Sequence, residues 1–205
     1  MISIHIPIIL TVSIPLAAGW IFPNIFSPVH IIFLELIMGP TCSIIYENEP
    51  IEKNTMTQQP RPITATFFNV KELSTSIVQG LLITTGTLFC YQYAVQHGLD
   101  ESRTRTMVFT SLVVSNIFLT LVNRSFYYSI FTTIKYRNNL VLLIIGVTIL
   151  ITVLFLCVRP FSDFFKFEQL DFFQAAISIG IGFLSVTWYE IIKWRKRLKN
   201  QGKNI

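Results

Sequence analysis

Long apolar stretches separated by short polar segments dominate the chain. Six can be delimited, at 2–19, 29–46, 74–96, 107–123, 139–158 and 171–192. Each is too long for a β-strand and too continuously apolar for an amphipathic surface helix. A helix satisfies its own backbone hydrogen bonds, as the hydrocarbon core of a membrane requires. The pattern therefore predicts an all-α fold, a polytopic membrane bundle of six transmembrane helices.

The composition agrees with an integral membrane protein. Of the 205 residues, 52% are hydrophobic and only 13% are charged, and the mean hydropathy is +0.57. Because one span needs about 20 apolar residues, six spans take roughly 120 residues and leave room mainly for loops. The net charge of +5 is not accompanied by aromatic residues interleaved with the basic ones, so nucleic acid is not an expected partner. The expected partner is the lipid bilayer.

The positions of lysine and arginine predict the orientation, because these residues are retained on the cytoplasmic side. If the first helix runs outward, only four of the 16 basic residues lie outside, namely Arg103, Arg105, Arg159 and Lys166. The others, with the basic tail at 193–205 and both termini, are then cytoplasmic. The loop at about 47–73 contains three prolines and is expected to lie flat or extended on that face.

Glu35 is the one acidic residue well inside an apolar run. A carboxylate there costs at least about 2 to 3 kcal/mol unless it faces a partner or a water-filled cavity, which makes it a functional candidate. Gly39 follows on the same helical face, and Pro40 cannot donate a hydrogen bond to the Leu36 carbonyl. We therefore expect the second helix to break here and expose carbonyl groups as cation ligands, as in transporters with broken helices.

Two further polar residues are candidates for the same pocket. His5 lies beside Pro7 in the first run, although prolines and a single histidine in a membrane helix also occur for packing alone. Asn116, in the middle of the fourth run, could supply an amide oxygen or simply hydrogen-bond to another helix. The predicted cation pathway thus comprises Glu35, Gly39, Pro40, His5 and Asn116, with Glu35 as the candidate metal ligand.

Other chemistry is not indicated by the sequence. No GxxxxGK[ST] phosphate loop, no nucleophilic triad and no metal-ligand spacing occurs in it. The three cysteines stand in different apolar runs and are expected to be buried apolar side chains. Ala176 and Gly180, four residues apart in the last run, are expected to form a close-packing seam.

Two segments resemble a known family. LELIMGPTCSIIYENEP at 34–50 resembles the sixth-helix signature of bacterial calcium-type P-type ATPases, which commonly reads LELIIDPTCSIVFEAEP. RTMVFTSLVVSNIFLTLVNRS at 105–125 resembles their eighth helix, and the other runs look like the outer part of the fifth helix and helices seven, nine and ten. The resemblance implies helices five to ten of such a cation pump, in a bacterial inner membrane.

The resemblance also implies catalytic parts that the sequence does not contain. The family carries a phosphorylated aspartate in DKTGT, a TGE motif, a nucleotide-binding domain and helices one to four, and none of these occurs here. ATP and magnesium would bind those missing domains, so no cofactor is expected in this chain. The chain is expected to be inactive alone, and to act with a cytoplasmic catalytic portion or to be the remnant of a broken or incompletely predicted gene.

Only some of the family's cation-ligand positions are occupied by possible ligands in this sequence. Glu35 falls on a sixth-helix Asn position, Gly39 on the central Asp position, His5 and Ile8 on fifth-helix Asn and Glu positions, and Asn116 on an eighth-helix acid or amide position. Three usual carboxylate positions are thus neutral, whereas calcium prefers several anionic oxygens. A monovalent ion, a proton-coupled step and a lost site all remain open.

Two other functions are compatible with a six-helix bundle. One is an independent channel or passive carrier, which would be expected to show an internal duplication of helices, and the sequence shows none. The other is a non-transporting membrane scaffold.

Overall fold

The computed structural model describes residues 2–49, 70–125, 128–133 and 138–201, which are mainly helical. The helices are α1 (Ile2–Ala17), α2 (Pro28–Glu47), α3 (Val70–Gln96), α4 (Glu101–Asn123), α5 (Ile130–Thr133), α6 (Asn139–Cys157), α7 (Arg159–Phe164) and α8 (Phe172–Gln201). Within these residues, α2, α3, α4, α6 and α8 are long and apolar enough to cross a membrane, and α1 is a shorter apolar helix. The predicted all-α class is confirmed. Most of the predicted extended loop, residues 50–69, lies outside the described residues.

Helix α4 is the centre of the bundle and packs against α3 and α8. It is mostly buried, although it is rich in serine and threonine, because small hydroxyl side chains allow helices to approach closely and bond to one another. On α3, an added Cβ at Gly80 would come within 2.8 Å of Ile6 Cβ, so α1 also packs tightly there. The Thr11 and Thr87 hydroxyls hydrogen-bond at 2.9 Å across the same interface.

Helix α6 lies at the periphery of the bundle. Its Leu142 and Leu150 side chains are 78% and 65% exposed. Cys157 ends this helix and is exposed, whereas Cys42 and Cys90 are buried, so the expectation of three buried cysteines is wrong for Cys157. Its position at the end of a peripheral helix is the reason. The exposed apolar surface of α6 is what a lipid-facing helix presents.

The predicted seam of small residues in α8 is wrong by two positions. Ala176 is exposed, and an added Cβ at Gly180 would meet no atom within 4 Å. The close approach is instead at Gly182, where an added Cβ would lie 2.9 Å from the Ser111 carbonyl oxygen of α4. Both glycines lie in the same helix, but 200° separates their directions from the axis at 100° per residue, so only one can face α4.

Candidate cation pathway

Glu35 and His5 form the polar pair at the interface of α1 and α2. His5 Nδ1 lies 2.9 Å from Glu35 Oε1, and the two side chains are 41% and 39% exposed, respectively. Glu35 lies seven positions after Pro28, a rise of roughly 10 Å along α2, so the carboxylate is about a third of the way along the helix. The structure therefore brings two of the five predicted residues into direct contact.

The predicted break in α2 is not present. The helix continues through Gly39 and Pro40 to Glu47, just as α1 continues through Pro7 and Pro15. Pro40 removes one backbone donor, but one missing hydrogen bond is tolerated in a membrane helix when neighbouring turns remain intact. The expectation that broken backbone would offer carbonyl ligands is therefore wrong for this structure.

Gly39 contributes space rather than carbonyl groups. It lies one turn after Glu35 on the same face of α2 and is partly exposed. A Cβ added there would meet no atom within 4 Å, so close packing does not explain the absence of a side chain. The result is an open position beside the Glu35 carboxylate.

Asn116 lies away from this pair, in the packed centre of the bundle. It is 4% exposed and accepts a weak hydrogen bond from Cys42 Sγ at 3.9 Å. A cavity of about 10 Å³ adjoins it, lined also by Pro7 and Met38. That volume is at or below what one water molecule needs, about 10 to 15 Å³. A hydrated ion has no room at Asn116 in this conformation.

The pair of Glu35 and His5 can attract one cation, but it does not complete a calcium cage. Calcium takes six to eight oxygen ligands, several of them anionic. Across the described residues, no three His, Cys, Asp or Glu side chains are grouped so that they could hold a metal ion. One carboxylate beside an imidazole is better suited to a monovalent cation than to a divalent one.

A second polar contact, which was not predicted from the sequence, joins α2 to α4 one turn after Asn116, at Thr120. Cys42 Sγ lies 3.0 Å from Thr120 Oγ1, and the Tyr46 hydroxyl donates to the Thr120 carbonyl oxygen at 3.5 Å. The spacing of Cys42 and Tyr46, four residues apart on one face of α2, is the signal that could have shown it. These contacts hold α2 against α4. Glu35, earlier in α2, is partly exposed.

The basic tail that begins at Lys193 was predicted to anchor the chain at the lipid headgroups or to bind anionic lipid, but Lys193 itself is buried. It is 1% exposed, and its Nζ donates to the carbonyl oxygens of Val122 at 2.9 Å and Ser125 at 3.2 Å. Its spacing from the buried Val186 and Tyr189 places all three on one face of α8, which was the available signal. Lys193 also pairs with Glu190, one turn earlier in α8, and so places a compensated cation against the carbonyl end of α4.

Arg105 is a buried cation at the opposite end of α4, in its first turns. It is 6% exposed and donates to the carbonyl oxygens of Ile25 at 2.7 Å and Lys166 at 3.1 Å. It also pairs with Glu101, one turn earlier. These bonds tie the turn between α1 and α2 to the segment between α7 and α8, so the two ends of α4 are both held by buried cations.

The family described as "Cation transporting ATPase, C-terminus" matches residues 23–195 of this chain. This range includes the helices from α2 to α7 and α8 as far as residue 195. It contains Glu35, Gly39, Pro40 and Asn116, and His5 precedes it.

Curated relatives agree with the family match. The calcium-transporting ATPase 1 of Schizosaccharomyces pombe is 27% identical over 180 residues, covering 87% of this chain and 20% of that protein. The human calcium-transporting ATPase type 2C member 1 is 25% identical over 189 residues, covering 92% of this chain and 20% of that protein. The chain therefore spans about a fifth of the length of these relatives. These relatives are fungal and mammalian, and they give no support to the bacterial assignment made from the sixth-helix motif.

Proposed function

Because the chain belongs to the family of cation-transporting ATPase C-terminal regions and corresponds to a membrane portion of a P-type ATPase, we propose that it forms one wall of a cation pathway centred on Glu35. The observation that carries the proposal is the contact of the Glu35 carboxylate with His5 at 2.9 Å, between two apolar helices. An acidic group held in this way inside a membrane domain is characteristic of ion and proton routes.

Glu35 is the group that would take the cation, and His5 the group that responds to it. A cation that approaches Glu35 from the open position at Gly39 competes for the carboxylate with an imidazole that, when protonated, carries the same charge. A cation bound there therefore takes the place of the His5 contact with the Glu35 carboxylate. The single carboxylate favours a monovalent cation or a proton-coupled step over calcium, even though the relatives' names specify calcium.

Active transport along this pathway would need energy from ATP hydrolysis, and the motifs for that reaction are not in this sequence. The sequence contains neither DKTGT nor TGE. ATP and magnesium would act on a cytoplasmic catalytic portion, and this chain would move with it. We expect the purified chain to form no acid-stable phosphoenzyme when it is incubated with labelled ATP and magnesium. A phosphoenzyme on this polypeptide would overturn that part of the proposal.

Cation binding to the full chain tests the role of Glu35. The chain is reconstituted in lipid nanodiscs, and equilibrium binding of sodium, rubidium and calcium tracers is measured for wild type and Glu35→Gln. We expect a tracer ion to bind to wild type and Glu35→Gln to weaken that binding by about tenfold, which corresponds to about 1.4 kcal/mol. Glu47→Gln, an exposed acid at the end of the same helix, is the matched control and should bind as wild type does. Equal binding by Glu35→Gln and wild type would contradict the proposal, as would no binding of any tracer.

A non-transporting scaffold is the second candidate, and two observations favour it. Helix α2 is unbroken at Gly39 and Pro40, and the cavity at Asn116 is only about 10 Å³. The same binding experiment separates the two functions, because a scaffold predicts that Glu35→Gln changes nothing.

A further inference from the structure

An apolar crevice runs along the outside of the bundle between α4, α6 and α8. Its volume is about 580 Å³. Val153 of α6 and Ile179 of α8 line it and are 49% and 47% exposed, so it opens to the surface of the bundle. The deeper lining is also apolar and includes Val113, Ile117, Leu156 and Leu170. An open apolar crevice between membrane helices has the chemistry of a site for a hydrocarbon chain.

The length of the crevice matches one leaflet of a bilayer. On α4 it extends from Thr106 to Phe118. Twelve residues of helix rise about 18 Å. Half of the hydrocarbon core measures about 15 Å, so one acyl chain can follow the crevice from the headgroup level to the middle of the bilayer.

A charged pocket continues the crevice at the start of α4. The pocket has a volume of about 730 Å³ and shares Gln169 and Leu170 with the crevice. It carries both signs of charge, from Arg103 and Arg159 and from Asp163, Glu168 and Asp171. An apolar groove that ends in a pocket with charges of both signs is complementary to a lipid with a zwitterionic headgroup.

Two polar groups along this path have no hydrogen-bond partner among the described residues. Arg103 Nε is one of them: it has only a 3.7 Å ion-pair contact with Asp100 Oδ1, while the same guanidinium donates to Glu168 Oε1 at 2.8 Å. The Thr110 hydroxyl, on the wall of the crevice, is the other. An unpaired buried donor is costly, and a ligand oxygen placed here removes the cost.

We propose that the crevice and the pocket bind one phosphatidylethanolamine molecule from the surrounding bilayer. Arg103 and Arg159 provide guanidinium groups for the phosphate, which arginine binds through paired N–H donors. The carboxylates of the pocket accept hydrogen bonds from the primary ammonium, which a choline headgroup cannot donate. An anionic headgroup would leave Asp163 and Asp171 facing further negative charge, since Glu168 alone accepts from Arg103. One acyl chain fills the crevice and connects the peripheral α6 to α4 and α8.

Lipid retention by the full chain tests the headgroup preference. The chain is reconstituted in nanodiscs containing equal amounts of phosphatidylethanolamine, phosphatidylcholine and phosphatidylglycerol. It is then extracted into mild detergent, and the retained lipid is identified by native mass spectrometry. We expect one phosphatidylethanolamine per chain, enriched about tenfold over the other two, as one charge-assisted contact would give. Retention of no lipid, or preferential retention of phosphatidylglycerol or phosphatidylcholine, would overturn the proposal.

Two variants separate the crevice from the rest of the lipid-facing surface. Val153→Trp fills the crevice from α6, and Leu142→Trp adds the same side chain to an exposed position of that helix outside the crevice. We expect Val153→Trp to lose the retained lipid and Leu142→Trp to keep it. Equal retention by the two variants would contradict the placement of the acyl chain.

The charged pocket is tested in the same way. Arg159→Gln removes one phosphate ligand, while Arg195→Gln removes an exposed charge from the other end of the bundle. We expect about tenfold lower retention of phosphatidylethanolamine for Arg159→Gln only. To check that each variant is folded, its melting temperature is measured with and without added phosphatidylethanolamine. The lipid should raise the melting temperature of wild type and Arg195→Gln but not that of Arg159→Gln, and an equal rise for all three would also overturn the proposal.

Discussion

Arg124, directly after α4, binds the Glu49 carboxylate that follows α2 through its Nε and Nη2 groups. Nη2 donates to Oε1 at 2.8 Å, and Nε lies 3.1 Å from each carboxylate oxygen. The side chains are only 2% and 12% exposed. Asn138, before α6, donates to the same carboxylate at 3.1 Å. Three helix ends therefore meet at one buried charge pair.

Removing the arginine from this pair should destabilise the chain strongly. Arg124→Gln leaves a buried carboxylate without its cation, which typically costs about 3 to 5 kcal/mol. The free energy of unfolding in mild detergent, followed by denaturant titration, measures the loss. The double variant Arg124→Gln with Glu49→Gln should lose less than the sum of the two single losses. Additive losses would show that the two groups do not interact.

Lys193 should matter far more than its neighbours in the basic tail. Lys193→Met removes the donor to the Val122 and Ser125 carbonyl oxygens, and each buried acceptor left unpaired costs about 1 to 3 kcal/mol. Arg195→Met, at an exposed position two residues later, is the matched control and should leave the stability near that of wild type. Thermal unfolding of the two variants in the same detergent makes the comparison. Similar melting temperatures would mean that Lys193 is solvated rather than buried.

Two glycine substitutions should have opposite consequences. An added Cβ at Gly182 would lie 2.9 Å from the Ser111 carbonyl oxygen, so Gly182→Ala should separate α8 from α4 at a cost of about 1 to 3 kcal/mol. Gly39→Ala meets open space and should stabilise α2 slightly, because alanine is favoured over glycine in a helix by about 1 kcal/mol. Unfolding free energies of both variants test this prediction. A destabilised Gly39→Ala would indicate that α2 is not a regular helix at that position.

The predicted orientation can be tested with single cysteines. In a Cys157→Ser background, a cysteine is placed at Arg195, near the end of α8, or at Gln96, the exposed last residue of α3. In sealed cells, a membrane-impermeant maleimide should label Gln96→Cys and should label Arg195→Cys only after lysis. The reverse pattern would place both termini outside and contradict the orientation inferred from the basic residues.

The helical class was predictable because continuous apolar runs are a strong signal that needs no tertiary information. The contact of Glu35 with His5 was also within reach, since both are isolated polar residues in adjacent apolar runs. Which glycine of α8 faces α4 was not, because it depends on the rotation of one helix against another. The continuity of α2 at Pro40 depends on whether neighbouring turns hold the helix together, which a dihedral preference alone does not decide.

The burial of Lys193 and Arg105 could not be predicted from residue type alone. Lysine and arginine near helix ends read as solvent-facing or headgroup anchors by their residue type. Lys193 and Arg105 are instead buried because each finds carbonyl oxygens at the end of a neighbouring segment. Those acceptors are 71 and 80 residues away along the chain, so the local pattern can place Lys193 on the buried face of α8 but cannot identify the acceptors.

The carboxylate of Glu35 is the group whose involvement decides the account, and infrared difference spectroscopy observes it directly. Spectra of the reconstituted chain are recorded with and without the tracer cation that binds most tightly, for wild type, Glu35→Gln and Glu47→Gln. We predict a cation-dependent shift of a carboxylate stretching band in wild type and Glu47→Gln that disappears in Glu35→Gln. The same band in Glu35→Gln, or no cation-dependent carboxylate band in wild type, would contradict a cation pathway centred on Glu35.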